Sequence, residues 1–199
     1  MKKIVLFLLL SILLTGCSVV RIDTDNIDNI VNVVLSKDNE LYNRVGSGYK
    51  YYIPRGVIYI DSSDLNDKLY SNGNYYYLYI DAISYYYKNE CTYEENNESY
   101  YSKEITSNDK CGYIEINEVD GNYLIEFMYN YSKIEALVQK EDINDVVLNA
   151  SYILSTVKFN NDIINLMLDE EFFTEKEERY DIFESNQESS NFLGIVEEE

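Results

Sequence analysis

The side chains of this chain that could carry out chemistry are mostly carboxylates, because the sequence has 36 Asp and Glu residues and no histidine. Histidine is the side chain that most often accepts protons near neutral pH, so a hydrolase built on two carboxylates is the catalytic chemistry that remains. No pair of carboxylates stands out by its spacing. The sequence also lacks a G-x-S-x-G elbow, a P-loop and a Rossmann fingerprint. We therefore expect no enzyme activity and no cofactor.

The acidic residues do not form a recognisable calcium loop either. The segment from Asp23 to Asp28 begins like one, but Asp28 stands where the loop needs glycine and Val34 where it needs glutamate. Soft ligands are equally scarce, since zinc takes four cysteine or histidine ligands and this chain has three cysteines and no histidine. We expect no metal site; a weak calcium site elsewhere on the acidic surface is the alternative.

The first cysteine, Cys17, ends a segment with the pattern of an export signal. Two lysines precede an apolar run from Ile4 to Leu14, which is shorter than the roughly 20 residues that span a bilayer. The following residues, Leu14-Thr15-Gly16-Cys17, resemble the lipobox of bacterial lipoproteins: leucine, a small residue, glycine or alanine, then cysteine. This resemblance covers residues 1–17.

The lipobox resemblance implies cleavage before Cys17 and attachment of acyl chains such as palmitate to that cysteine, which together make a stable membrane anchor. We predict that residues 1–16 are a signal peptide and that Cys17 anchors the protein to the extracytoplasmic face of the cell membrane. A plain signal peptide and an uncleaved N-terminal helix are the alternatives.

The other two cysteines, Cys91 and Cys111, then form an even pair in an exported protein, where disulfides persist. Closing a loop of about 20 residues would stabilise the fold by roughly 3 kcal/mol in the chain-entropy model. Two reduced, buried thiols are the alternative.

The charge of the chain excludes one class of partner. The formal net charge is −20 at pH 7, so the protein would repel the phosphates of nucleic acid. It would also stand away from anionic lipid headgroups. The last residues, 174–199, are strongly acidic and weakly patterned, and we predict a largely disordered tail there.

Tyrosine is unusually frequent, with 22 residues in the chain and runs at Tyr75–Tyr77, Tyr85–Tyr87 and Tyr100–Tyr101. Tyrosine supplies rigid contact area and a hydroxyl group, so an exposed set would suit a protein partner or a glycan. The alternative is that tyrosine merely fills strand positions, because the frequent Asn, Ile, Lys, Asp and Tyr are the residues of AT-rich codons.

Three helices are predicted from apolar residues that recur with helical spacing. The first begins at Asp25 or Asn26 and ends near Lys37. The clearest covers 141–157, where seven apolar residues make one stripe over four turns and must pack on a sheet. A third covers 162–172.

The strands lie between these helices. Asn72-Gly73 and Asp120-Gly121 are two-residue hairpin signals, and the run from Tyr75 to Lys88 predicts one long central strand. The remaining strand segments are 49–53, 57–60, 68–71, 100–105, 112–119, 123–131 and 133–138. The sum is an α+β fold: an antiparallel sheet of about six strands packed by an N-terminal helix and C-terminal helices. We divide the chain into a signal peptide (1–16), a lipidated tether (17–25), one domain (26–173) and the tail (174–199).

Two segments of the domain resemble PsbP-like domains. GSGYKYYIPRGVIYID, residues 46–61, is similar to their opening aromatic strand followed by proline, glycine and a second strand. SYILSTVKFN, residues 151–160, is similar to their final helix with its Lys-Phe ending. The resemblance implies an antiparallel sheet between helices and an accessory or assembly role. It carries over no functional residue, and the tryptophan common near the proline is replaced here by Val57.

The sequence thus predicts a lipid-anchored, non-catalytic protein that binds another protein of the cell envelope or assists an envelope complex. An extracellular module that binds a glycan or a small molecule is the second hypothesis. A carboxylate-based hydrolase is the third.

Overall fold

The computed structural model describes residues 23–63, 65–107 and 109–169. Cys17, the predicted signal peptide (1–16) and the predicted acidic tail (174–199) lie outside these residues, so those predictions stay predictions.

Four α-helices and ten strands make up the part of the chain that the structure describes. In chain order they are α1 (Ile27–Leu35), β1 (Arg44–Val45), β2 (Tyr49–Tyr51), β3 (Ile58–Ser63), β4 (Asn66–Ser71), β5 (Asn74–Ile80), α2 (Ala82–Tyr87), β6 (Tyr101–Ser107), β7 (Lys110–Val119), β8 (Asn122–Tyr129), β9 (Ser132–Val138), α3 (Ile143–Ser155), β10 (Lys158–Phe159) and α4 (Asn161–Asp169). None of the helices within the described residues is long and apolar enough to cross a membrane.

Seven strands form one sheet in the order β3-β4-β5-β9-β8-β7-β6, and three short strands form a second sheet in the order β1-β2-β10. Every strand pair is antiparallel. The predicted α+β class and antiparallel sheet are therefore confirmed. The strands β1 and β10 were not predicted, since each has only two residues, and β3 extends three residues beyond the predicted 57–60.

Three tight turns set the register of the large sheet. Asn72-Gly73 and Asp120-Gly121 join β4 to β5 and β7 to β8, with positive φ at all four residues, as a two-residue hairpin turn requires. Both were predicted. The turn between β8 and β9 uses Asn130 and Tyr131, with φ of 52° and 58°, and it carries no glycine that could have revealed it.

Helices α1 and α3 pack on each other and on one face of the large sheet. The predicted apolar stripe of α3 is buried there, including Val147, Ala150 and Leu154 at 0% exposure. Asn149 of α3 donates a hydrogen bond to the Tyr76 hydroxyl of β5 at 3.1 Å, which places Tyr76 on this helix-covered face. The face opposite α1 and α3 is called the far face below.

The prediction of one long strand from Tyr75 to Lys88 was wrong. β5 ends at Ile80, and the Asp81 side chain accepts a hydrogen bond from the Ser84 amide at 2.7 Å, which caps the N-terminus of α2. Lys88 ends α2 in the left-handed conformation. A run of strand-forming tyrosines therefore folds as a helix because a local cap and tertiary packing outweigh its β-propensity.

Candidate functional site

One row of paired residues crosses the far face of the large sheet from edge to edge. Direct cross-strand partners share a face, so the register places these residues side by side: Asp61, Lys68, Tyr77, Glu135, Glu126, Glu115 and Ser102, on β3, β4, β5, β9, β8, β7 and β6. Glu115, Glu126 and Glu135 are consecutive in it, and we call these three the carboxylate row. Like charges directly opposite one another destabilise a sheet, so these carboxylates need partners that offset their repulsion.

Lys133 is the cation next to the carboxylate row. Its Nζ lies 2.6 Å from Glu135 Oε1 and 3.8 Å from Glu126 Oε1. The Tyr79 hydroxyl donates to Glu135 Oε2 at 3.3 Å. Lys133, Glu126 and Glu135 are only 5–6% exposed. Two carboxylates therefore share this one lysine. With Glu115 beside Glu126, the cluster carries an excess of negative charge when all three glutamates are ionised.

The pKa values of the other two carboxylates, Glu126 and Glu115, are shifted in opposite directions. Burial raises the pKa of Glu126, Lys133 opposes that shift, and the charges of Glu135 and Glu115 add to it. Burial also acts on Glu115, but hydrogen bonds led by that from Tyr93 outweigh it and hold the pKa of Glu115 below its usual value. Glu126 is thus the member of the row that is costly to ionise.

Glu115 is stabilised by the segment 88–100, which joins α2 to β6. Tyr93 donates to Glu115 Oε2 at 2.6 Å, and the Asn96, Ser99 and Asn117 side chains donate to Oε1 at 3.2, 3.0 and 2.9 Å. Hydrogen bonds to an ionised group are the strong ones. This segment therefore supplies most of the donors that make Glu115 a stable anion.

Two contacts hold that segment on the far face. The Tyr93 ring stacks on the buried Tyr113 ring with centroids 4.3 Å apart. Cys91 is joined to Cys111 of β7 as a disulfide, with Cα atoms 6.3 Å apart, inside the range that disulfides need. Next to Cys111, a Cβ on Gly112 would lie 2.1 Å from the Met128 carbonyl oxygen, so β7 approaches β8 where no side chain fits.

An aromatic strip borders the carboxylate row on the same face. Tyr70 and Tyr75 are cross-strand partners with ring centroids 5.1 Å apart, and Lys68 Nζ lies 4.4 Å from the centre of the Tyr75 ring. Leu124 and Leu137 are likewise partners on this face and half-buried. Tyr75 is 45% exposed, so the strip offers apolar contact area beside a negatively charged cluster.

A concave region lies beside the small sheet. It is an open groove of about 420 Å³ lined by Val45, Gly46, Tyr49, Lys50, Lys158, Phe159, Asn160, Asn161, Asp162 and Ile163. The Phe159 ring stacks on Tyr85 at 3.9 Å, which fixes one wall. Lys158 pairs with Glu40 at its edge.

Sequence reasoning placed few of these residues. The structure brings Cys91 and Cys111 together as predicted, whereas Cys17 lies outside the described residues. The carboxylate row was missed because its members come from three strands whose pairing the sequence did not fix. One feature of the sequence could have indicated the row: a glutamate inside an otherwise apolar strand, such as Glu126 within YLIEFMY. Across 23–63, 65–107 and 109–169, no three acidic or cysteine side chains are arranged to hold a metal ion.

Comparisons with family models, with curated proteins and with solved structures gave no match to this chain.

Proposed function

We propose that this protein is a lipoprotein, anchored through Cys17 on the extracytoplasmic face of the cell membrane, that binds another protein of the envelope without catalysing a reaction. The observation that carries the binding role is the carboxylate row, Glu115, Glu126 and Glu135, with the aromatic strip beside it on the far face. A sheet face that needed only to be covered would not set three glutamates opposite one another.

The chemistry of the far face favours a partner with basic side chains. The excess carboxylates produce a negative potential that steers and orients a basic surface. The exposed tyrosine of the strip provides the rigid aromatic area typical of binding hot spots. The partner would therefore present lysine or arginine to the potential above the row, without direct contact to its buried carboxylates, and apolar residues toward Tyr75.

A non-catalytic role is favoured by the state of the glutamates. Both oxygens of Glu135 already have partners, Lys133 on one and Tyr79 on the other, and Glu115 accepts four side-chain hydrogen bonds. A carboxylate that acts as base or nucleophile must reach a substrate atom. These two are instead committed to contacts within the fold.

Photo-cross-linking in intact cells tests the proposed surface. A photoreactive amino acid is placed at Tyr75, in the aromatic strip, or at Tyr86 on α2, which has a nearly equal exposure of 44% against 45%. We expect one dominant protein adduct from position 75 and none from position 86, identified by affinity recovery and mass spectrometry. Equal adducts from both positions, or no protein adduct in cells that make the protein abundantly, would contradict the proposal.

An extracellular module that binds a small molecule is the second candidate, and the groove beside the small sheet favours it. The groove has the volume of a small-molecule site, about 300–1,000 Å³, and combines Tyr49 and Phe159 with two lysines.

A further inference from the structure

We propose that the groove between the small sheet and α4 binds a small organic anion through a carboxylate or phosphate group, at the place where Glu40 now pairs with Lys158. This inference specifies the ligand class of the second candidate function. It does not depend on partner binding at the far face.

The groove brings lysines together in a molecule that is otherwise strongly acidic. The chain has a net charge of −20, yet Lys50 and Lys158 both line this groove. Lys110 lies close enough for its charge to act on the same acceptor, Glu40. Three lysines therefore lie here, with Asp162 in the lining and Glu40 and Asp38 as the neighbouring carboxylates.

Two shifts in pKa show which charged groups act on one another at this place. The hydrogen bond and charge of Lys158, then the charges of Lys50 and Lys110, hold the pKa of Glu40 below its usual value. Burial lowers the pKa of Lys110, and the charge of Lys158 adds to that effect while Asp38 and Glu40 oppose it. An anion bound at Lys158 in place of Glu40 would keep that lysine neutralised.

The Glu40 carboxylate occupies the place beside Lys158 where such an anion would bind, and its side chain is mostly exposed to solvent. Its side chain is 75% exposed, whereas that of Lys158 is 25% exposed. An exposed ion pair contributes little to stability, because water screens it and both side chains lose freedom. A ligand carboxylate or phosphate that enters the groove can therefore replace the Glu40 carboxylate at Lys158 at little cost.

The other walls of the groove define the rest of the ligand. Val45, Phe159 and Ile163 contribute apolar surface, and Asn160 and Asn161 contribute amide groups. The position of Phe159 is fixed by its stack on Tyr85. A ligand with an acidic group on a small ring or aliphatic body matches this combination.

The test is a nuclear magnetic resonance titration of the full chain in non-ionic detergent with phenyl phosphate, benzoate and inorganic phosphate, at constant ionic strength. We expect saturable shifts confined to amides of the groove, such as Gly46, Lys50 and Ile163. Phenyl phosphate should bind more tightly than inorganic phosphate because its ring contacts the apolar wall. Shifts that do not saturate, or that spread over the surface, would overturn the proposal.

Two variants and a charge-matched control complete the test. Lys158→Gln should weaken phenyl phosphate binding about tenfold, the value of one charged hydrogen bond, whereas Lys140→Gln, an exposed lysine elsewhere, should not change it. Glu40→Gln should strengthen binding several-fold because the internal competitor is removed. Weaker or unchanged binding by Glu40→Gln, or equal losses in both lysine variants, would refute the site. Phosphatidylglycerol dissolved in the same detergent should leave the groove amides unchanged; saturable shifts of those amides would instead assign the groove to a lipid headgroup.

Discussion

At the scale of single residues, Glu126 is the carboxylate whose ionisation destabilises the folded protein. It is 6% exposed and lies between two other glutamates in adjacent strands. Because its native pKa is raised above 4.5, the native state holds the proton more tightly than the unfolded state does. The stabilisation that results is complete below pH 4.5 and is lost as the pH rises through the native pKa of Glu126.

Glu126→Gln mimics the protonated side chain and should keep that stabilisation at all pH values. We expect the variant to be more stable than the wild type by about 0.5–1 kcal/mol at pH 7, the value of a like-charge pair across strands. The two proteins should become equal below about pH 4. Urea unfolding at a series of pH values measures the difference.

Glu115→Gln is the matched control, because it removes the same charge from the neighbouring strand. The pKa of Glu115 is lowered, so its stabilisation is present above pH 4.5 and is lost as the pH falls through its native pKa. We expect this variant to lose about 1 kcal/mol at pH 7, after allowance for partial exposure. Effects of the same sign in both variants would show that the row does not have the electrostatics described.

At the scale of elements, the segment 88–100 depends on its covalent link to β7. Replacing Cys91 and Cys111 together by serine should lower the free energy of unfolding by roughly 3 kcal/mol in the chain-entropy model. The segment should loosen with it, since Tyr93 and Asn96 lie just beyond the bridge. Denaturant unfolding and hydrogen exchange of the residues around Tyr93 measure the two effects.

A reducing agent provides the control for that prediction. It should destabilise the wild type by the same amount and leave the double serine variant unchanged. Two free thiols per folded wild-type molecule, measured with a thiol reagent, would show that Cys91 and Cys111 are not bonded in the protein.

The elements also show how far the sequence could predict the structure. The stripe of α3 and the Asn72-Gly73 and Asp120-Gly121 hairpins were predictable because each is a local signal. The helix Ala82–Tyr87 was not, because its tyrosines favour a strand and only the Asp81 cap and packing against α4 reverse that preference.

The carboxylate row was unpredictable for a different reason. Glu115, Glu126 and Glu135 become neighbours only through the order β9-β8-β7 and the exact register of both pairs. Register depends on turns, and the turn at Asn130-Tyr131 carries no glycine signal. A row of this kind becomes visible only when the strands are assembled.

At the scale of the whole molecule, the proposed anchor and the proposed binding face are separate parts of the chain. Cys17→Ala should leave the protein uncleaved and without acyl chains, because the lipidated cysteine is both the anchor and the cleavage site in lipoproteins that share this lipobox. Cell fractionation and the mass of the product measure this outcome. A variant that stays membrane-bound at its mature size would refute the anchor.

The most direct test of the account is the yield of the cross-linked adduct from position 75 in cells when the carboxylate row is neutralised. Glu115→Gln with Glu126→Gln removes two charges from the far face, and Glu118→Gln with Asp120→Asn removes two from the exposed β7–β8 turn. We predict that the adduct falls several-fold in the first double variant and is unchanged in the second. An equal yield in both, from correctly folded proteins, would contradict the claim that the carboxylate row recognises a basic partner.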